Sequence, residues 1–138
     1  MDGRKLPFCS SRGKDELPEG FFLNVPASLS SKQEIFDAYG VGLRAPESYF
    51  GNNWDGFFDC LMGLSWIEEH TVVIFHERAL RIGSMDQHHY IECLSRAVNE
   101  WRSEEAKKKF EVFPHMRDHD LVVCFPERDI SWIEQILV

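Results

Sequence analysis

Three short apolar runs punctuate the chain. Phe21–Val25 (FFLNV) is closed by Pro26, Thr71–Phe75 (TVVIF) is rich in β-branched residues, and Leu121–Phe125 (LVVCF) ends at Pro126. Runs of this length without polar alternation predict strands covered on both faces, the pattern of a parallel sheet. Phe110–Phe113 is a candidate fourth strand, antiparallel to Leu121–Phe125 across the polar turn HMRDHD.

Between the runs a period of 3.6 appears. Ser30 or Ser31 caps a helix that buries Ile35, Phe36 and Tyr39, with Glu34 placed to complete a capping box in Ser31-x-x-Glu34 and a stop near Gly40 or Gly42. Ala45-Pro46-Glu47 is a turn. A second helix follows within SYFGNNWDGFFDCLMGL, with Asn52 or Asn53 as N-cap and Gly63 as its stop. From about Met85 to Lys109 a long amphipathic helix carries Tyr90, Leu94, Ala97, Val98 and Trp101 on one face. Ser131-x-x-Glu134 caps a last turn with Trp132, Ile133 and Ile136. Strands separated by helices predict an α/β fold: a small, largely parallel three-stranded sheet packed with helices. The polar residues 1–19 read as a flexible N-terminal arm, and residues 20–138 as one domain in which 126–138 form a C-terminal extension.

Composition narrows the function classes. With 138 residues, 43% of them hydrophobic and 28% charged, the chain suits one domain with a real core. A formal charge of −8 argues against a basic face for nucleic acid or an anionic membrane, and fits either a basic partner or plain solubility. Cys9, Cys60, Cys93 and Cys124 are scattered without a C-x-x-C pair and read as reduced thiols, Cys60 and Cys93 as core thiols rather than nucleophiles. No apolar run reaches the length of a bilayer span, and the first residues carry no apolar leader, so the expected location is the cytoplasm.

The second helix holds an oddity. At about 100° per residue Trp54, Phe57, Phe58, Leu61 and Leu64 share one arc, while Asp55 and Asp59 stand together on another face. Like charges four residues apart cost about 0.2–0.5 kcal/mol. Gly56 between them costs about 1 kcal/mol against Ala, although it lets another backbone come close. Local choices against helix stability point to function, whereas an exposed aspartate pair by itself also fits an ordinary solvated face. Spacing alone leaves both readings open.

The stretch YFGNNWDGFFDCLMG resembles the central segment of the barstar family of intracellular ribonuclease inhibitors. Tyr49, Phe50, Gly51, Asn53, Asp55, Phe58, Asp59, Cys60, Leu61 and Gly63 carry the likeness, and the order of elements over roughly residues 20–126 is similar. The resemblance implies a helix and preceding loop that plug a nuclease active site, with acidic side chains in place of RNA phosphates. By position it implies that Asp59 is the central anchor, facing catalytic Arg and His groups of the enzyme, and that Asp55 pairs with a nearby base. Tyr49 then supplies aromatic contact, Gly51 close backbone approach, Asn53 a further contact of the motif, and Glu100 the acidic residue of the long helix. The expected partner is a basic ribonuclease bound one-to-one, with no cofactor, no metal and no catalytic residue. The family pattern is broken at Phe50, which lacks a hydroxyl, and at Leu64, where the family has a tryptophan.

Rival chemistries fit less well. Two carboxyl groups ~6 Å apart approach the spacing of a retaining glycosidase pair, but an exposed helix gives them no asymmetry of environment. His115 and His119, flanking Asp118 and beside Asp120, have metal-like spacing, yet no second cluster closes a site, so a solvated polar turn is expected. His88 and His89 read as surface residues. A protein-binding module with the same fold and a non-nuclease partner is the standing alternative.

Overall fold

The computed structural model describes residues 7–13, 17–113 and 117–136. Four strands form one fully parallel sheet: β1 (Cys9–Ser11), β2 (Phe21–Val25), β3 (Thr71–His76) and β4 (Asp120–Pro126), in the order β1-β4-β3-β2. The helices are α1 (Lys32–Gly42), α2 (Trp54–Leu61), α3 (Ser84–Arg102), α4 (Glu104–Val112) and α5 (Ile130–Ile136).

The three apolar runs are β2, β3 and β4. Register pairs Leu23 with Ile74 and Val73 with Val122, which puts alternate residues of each strand on opposite faces. Leu23, Val25, Val72, Ile74, Leu121, Val123 and Phe125 meet the helices in the main core. Val73, Phe75, Val122 and Cys124 form a second cluster on the other face, against which Cys9 and Leu17 pack. Coverage on both sides is the physical reason that β3 and β4 show no polar alternation, whereas edge strand β2, expected to be buried as well, is covered only on the helix side and leaves Phe22 and Asn24 exposed.

Two expectations about strands need correction. The fourth strand is Cys9–Ser11, inside the segment read as an arm, and it pairs parallel to β4 as Cys9↔Cys124, Ser10↔Phe125 and Ser11↔Pro126. Phe110–Val112 belongs instead to α4. The single long helix predicted to Lys109 breaks at Ser103, an extended residue whose Oγ accepts from Ala106 N at 3.1 Å and donates to Glu100 O at 2.8 Å. That serine cap, with Glu104 and Glu105 in the following turn, starts a new helix. The turn folds Phe110 back onto Trp101, ring stacked on ring at 5.5 Å, so one helical contact accounts for the apolar residue that looked like a strand.

The cap of α1 is nearly as read. Ser31 Oγ accepts from Glu34 N at 3.2 Å, but the Glu34 carboxylate closes on Ser30, at 2.9 Å from its N–H and 2.8 Å from its hydroxyl. In α5 the helix already begins at Ile130, so Ser131 lies inside it rather than capping it. Asp129, just before α5, grips Arg78 with two bonds of 3.0 and 3.1 Å and accepts from Ala79 N at 2.9 Å, tying the C-terminal residues to the end of β3.

Below α2 lies a buried polar chain. His76 Nδ1 donates to the Cys124 carbonyl at 3.0 Å, so Nε2 accepts from the Tyr90 hydroxyl at 2.6 Å, and Tyr39 in turn donates to Tyr90 at 2.7 Å. The His76 ring stacks on Phe125 at 4.0 Å with no exposed surface. Burial pushes its pKa down to about 3, against the raising effect of the Cys124 carbonyl. A folded pKa below the unfolded value near 6.5 means the contribution is complete above pH 6.5 and is lost as pH falls from there toward 3. Between pH 6 and 5, above the range in which Glu34 and Asp129 take up protons in the unfolded chain, stability is expected to fall by up to about 1.4 kcal/mol per pH unit. Urea unfolding midpoints across that range check this, and a His76→Gln variant should show a clearly flatter dependence.

Candidate functional site

The site is built on α2, which α3 holds at both ends. Asn53 caps its start, Oδ1 accepting from Gly56 N at 2.7 Å. Trp54 Nε1 donates to Asp86 at 3.0 Å, Cys93 Sγ donates to the Trp54 carbonyl at 3.6 Å, and Trp101 Nε1 donates to the Leu61 carbonyl at 2.9 Å. Phe57 and Leu61 are fully buried between α1 and α3, with Phe57 edge-on to Tyr39 at 4.8 Å. An eight-residue helix is too short to be stable alone, so these contacts, not propensity, hold it.

With that face buried, Asp55 and Asp59 are left exposed. Among the described residues no cation lies within ion-pair distance of either carboxylate. Arg96 of α3 places its guanidinium 4.3 Å over the ring of half-buried Phe58, the sequence neighbour of Asp59. Arg96 was not singled out in the sequence, because a lone arginine on a polar helix face carries no pattern.

The loop before α2 is shaped by backbone, not by side-chain bonds. Arg44, Glu47 and Ser48 have φ of 56°, 58° and 55°, each a left-handed conformation costing about 1–2 kcal/mol for a residue with a Cβ. The compensation is packing. Gly40 of α1 lies so close to the Ser48 carbonyl that it has no room for a side chain, and Ala45 N donates to the Gly40 carbonyl at 2.9 Å. On the other side Gly51, at φ 93°, rests on the first turn of α2: a Cβ there would stand 2.5 Å from Phe57 N and 2.7 Å from Gly56 C. The close approach that Gly51 allows is therefore to the protein's own helix, and Gly56 is its counterpart.

This clamp turns Phe50 inward and Tyr49 outward. Phe50 packs on Tyr39 at 5.4 Å and Phe57 at 5.6 Å and is 1% exposed, so a hydroxyl there would meet only apolar surface. Tyr49 is 55% exposed beside the helix. Glu47, also exposed, adds a third acidic group at this end. Glu100 is exposed on α3 and shares with Met62, the last cap residue of α2, a cleft of about 190 Å³ floored by Trp101 and Phe110. The structure thus gathers Tyr49, Asn53, Asp55 and Asp59 along one loop and helix, with Glu100 toward the Asp59 end. Gly51 lies beneath, buried.

The segment after α2 is equally determined. Leu64, fully buried at φ 57°, turns the chain, and its carbonyl accepts from His119 Nε2 at 2.7 Å. His119 Nδ1 faces the Glu69 and His70 carbonyls at 2.9 and 3.3 Å. His119 is 2% exposed and serves as a buried tie, not as part of a solvated turn. His115 lies outside the described residues. Cys93 is buried, its thiol pushed up to about 11 by burial, and half-buried Cys60 is raised by burial and by the Asp59 charge; neither is a nucleophile in waiting.

No helix among the described residues is long and apolar enough to cross a membrane. No curated protein and no solved structure matches the chain. The sequence model described as Barstar (barnase inhibitor) does match, over residues 25–115, more than half of the chain and the whole of the site. The chain is a member of the barstar (barnase inhibitor) family.

Proposed function

We propose that this protein is an inhibitor of immunity or antitoxin type, which binds a basic ribonuclease one-to-one in the cytoplasm and blocks its active site without any catalysis of its own. The observation that carries this reading is the pair of carboxylates on α2, exposed and unpaired among the described residues, next to Tyr49 on a clamped loop. A nuclease must bind phosphates with Arg, Lys or His, and two carboxylates on a rigid ridge offer those cations the charge they are built for. The repulsion between Asp55 and Asp59 is then relieved on binding. Ordering costs are small, because the loop is already fixed by Gly40 and Gly51. A net charge of −8 speeds encounter with a cationic partner and disfavours direct contact with nucleic acid.

The test is capture from source cells with immobilised wild type and an Asp55→Ala, Asp59→Ala double variant, at low and moderate salt. A basic protein with ribonuclease activity, held by the wild type and lost by the double variant, is the expected result. Capture that weakens with salt accords with charge pairing. Equal capture by both forms, or a partner that is no nuclease, overturns the inhibitor reading and leaves a binding module of this fold.

A further inference from the structure

The two faces of the sheet differ in what they hold, and the face away from the helices carries chemistry that inhibition does not use. β1 and β4 run parallel with Cys9 opposite Cys124. Directly paired residues of neighbouring strands point to the same face across a spacing of about 4.8 Å, inside the window of Cα separations, about 4.4–6.8 Å, that a disulfide spans. Both cysteines belong to the cluster with Val73, Phe75 and Val122. Paired in register and packed in one cluster, the two thiols are neighbours on this face.

We propose that Cys9 and Cys124 are a redox modification site, a cross-strand thiol pair that a peroxide converts to a disulfide, fastening β1 to the sheet.

The two cysteines have different environments, which sets their roles. Cys9 is half-buried and within reach of a small oxidant, whereas Cys124 has no exposed surface. The neighbouring Cys124 thiol, with help from the Arg102 charge, lowers the Cys9 thiol to about 6 against the opposing effects of burial and of Asp120. The Cys9 neighbour and burial raise the Cys124 thiol. Cys9 is therefore the thiolate that reacts first and Cys124 the thiol that resolves it. In the first step Cys9 sulfur attacks one peroxide oxygen, the O–O bond breaks, and the departing hydroxide takes a proton to become water. Cys9 is then a sulfenic acid. In the second, Cys124 sulfur attacks Cys9 sulfur, the S–O bond breaks, and hydroxide leaves with the Cys124 proton as a second water. The two thiols have lost two electrons to the peroxide. Cys60 and Cys93 have no such partner: Cys60 lies on α2, and the Cys93 thiol points to the Trp54 carbonyl.

Because the bridge closes a loop of more than a hundred residues, its constraint on the unfolded chain is large. It sits on the sheet face opposite α2, so the Asp55–Asp59 ridge is untouched and the proposal is independent of the inhibitor reading.

The experiment uses the purified full chain, hydrogen peroxide as the probe, thiol titration under denaturing conditions, and peptide mapping. Wild type should fall from four thiols to two, as a monomer containing a Cys9–Cys124 linked peptide. Its thermal midpoint should rise by several degrees and return on treatment with dithiothreitol. A Cys60→Ser, Cys93→Ser double variant should form the same bridge. In Cys124→Ser, dimedone should trap Cys9 as a sulfenic acid that the wild type does not accumulate. A bridge through Cys60 or Cys93, Cys9 oxidised in the wild type without a bridge, or four thiols surviving peroxide that modifies Cys9 in Cys124→Ser would each overturn the proposal.

Discussion

Asp59→Ala should remove about 3–5 kcal/mol of affinity for the captured nuclease, roughly a hundred- to several-thousand-fold, while leaving the fold intact. The affinity loss follows from what truncation leaves behind: cationic groups of the partner, desolvated in the complex, with no counter-charge. The fold should not suffer, for reasons visible in the free protein. Asp59 is exposed, makes no ion pair among the described residues, and repels Asp55 one turn away. Alanine removes that repulsion and is the better helix former, so stability should stay within about 0.5 kcal/mol or rise slightly. Titration calorimetry of the variant with the nuclease, beside urea unfolding of the variant alone, separates the two effects. Wild-type affinity would sink the role assigned to Asp59, and a large drop in stability would sink the account of its exposed face.

Gly51→Ala is expected to destabilise the fold by about 2–5 kcal/mol. Two independent penalties add. An alanine at φ 93° pays about 1–2 kcal/mol for a left-handed backbone, and its Cβ would stand 2.5 Å from Phe57 N, where neither loop nor helix can yield cheaply. Relief requires the loop to lift from α2, which would carry Tyr49 away from the aspartates. The urea midpoint should therefore fall, and affinity for the nuclease with it. Gly83→Ala is the control: nothing stands within 4 Å of its Cβ, so the change should cost no more than about 1 kcal/mol, the difference between glycine and alanine at the N-cap of α3. Equal midpoints for the two variants would show that the loop is not pinned by Gly51.

Much of this was legible in the sequence because the signals were local. The caps at Ser31 and Asn53, the three apolar runs, and the separation of Phe57 and Leu61 from Asp55 and Asp59 each follow from a period or a spacing of a few residues. What misled were patterns with two physical solutions. Phe110 to Phe113 is short and mostly apolar, which suits a strand, but the nearby Ser103 cap and the flat face of Trp101 make a helix the better burial. His119 carries the polarity of a surface turn, yet three carbonyls separated from it by some fifty residues give it partners inside. β1 was missed for a related reason. Three residues with two serines carry no strand period, and only pairing with β4 makes them one.

By itself, then, the sequence determined the α/β class, the caps, the buried arc of α2 and the family motif, because each depends on neighbours along the chain. Tertiary structure alone decided that Gly51 is an internal clamp, that Phe50 turns in while Tyr49 turns out, that Glu100 stands toward the Asp59 end of α2, and that Cys9 faces Cys124. Those are relations between backbones far apart in the chain, and they exist only once the apolar faces have been buried against one another.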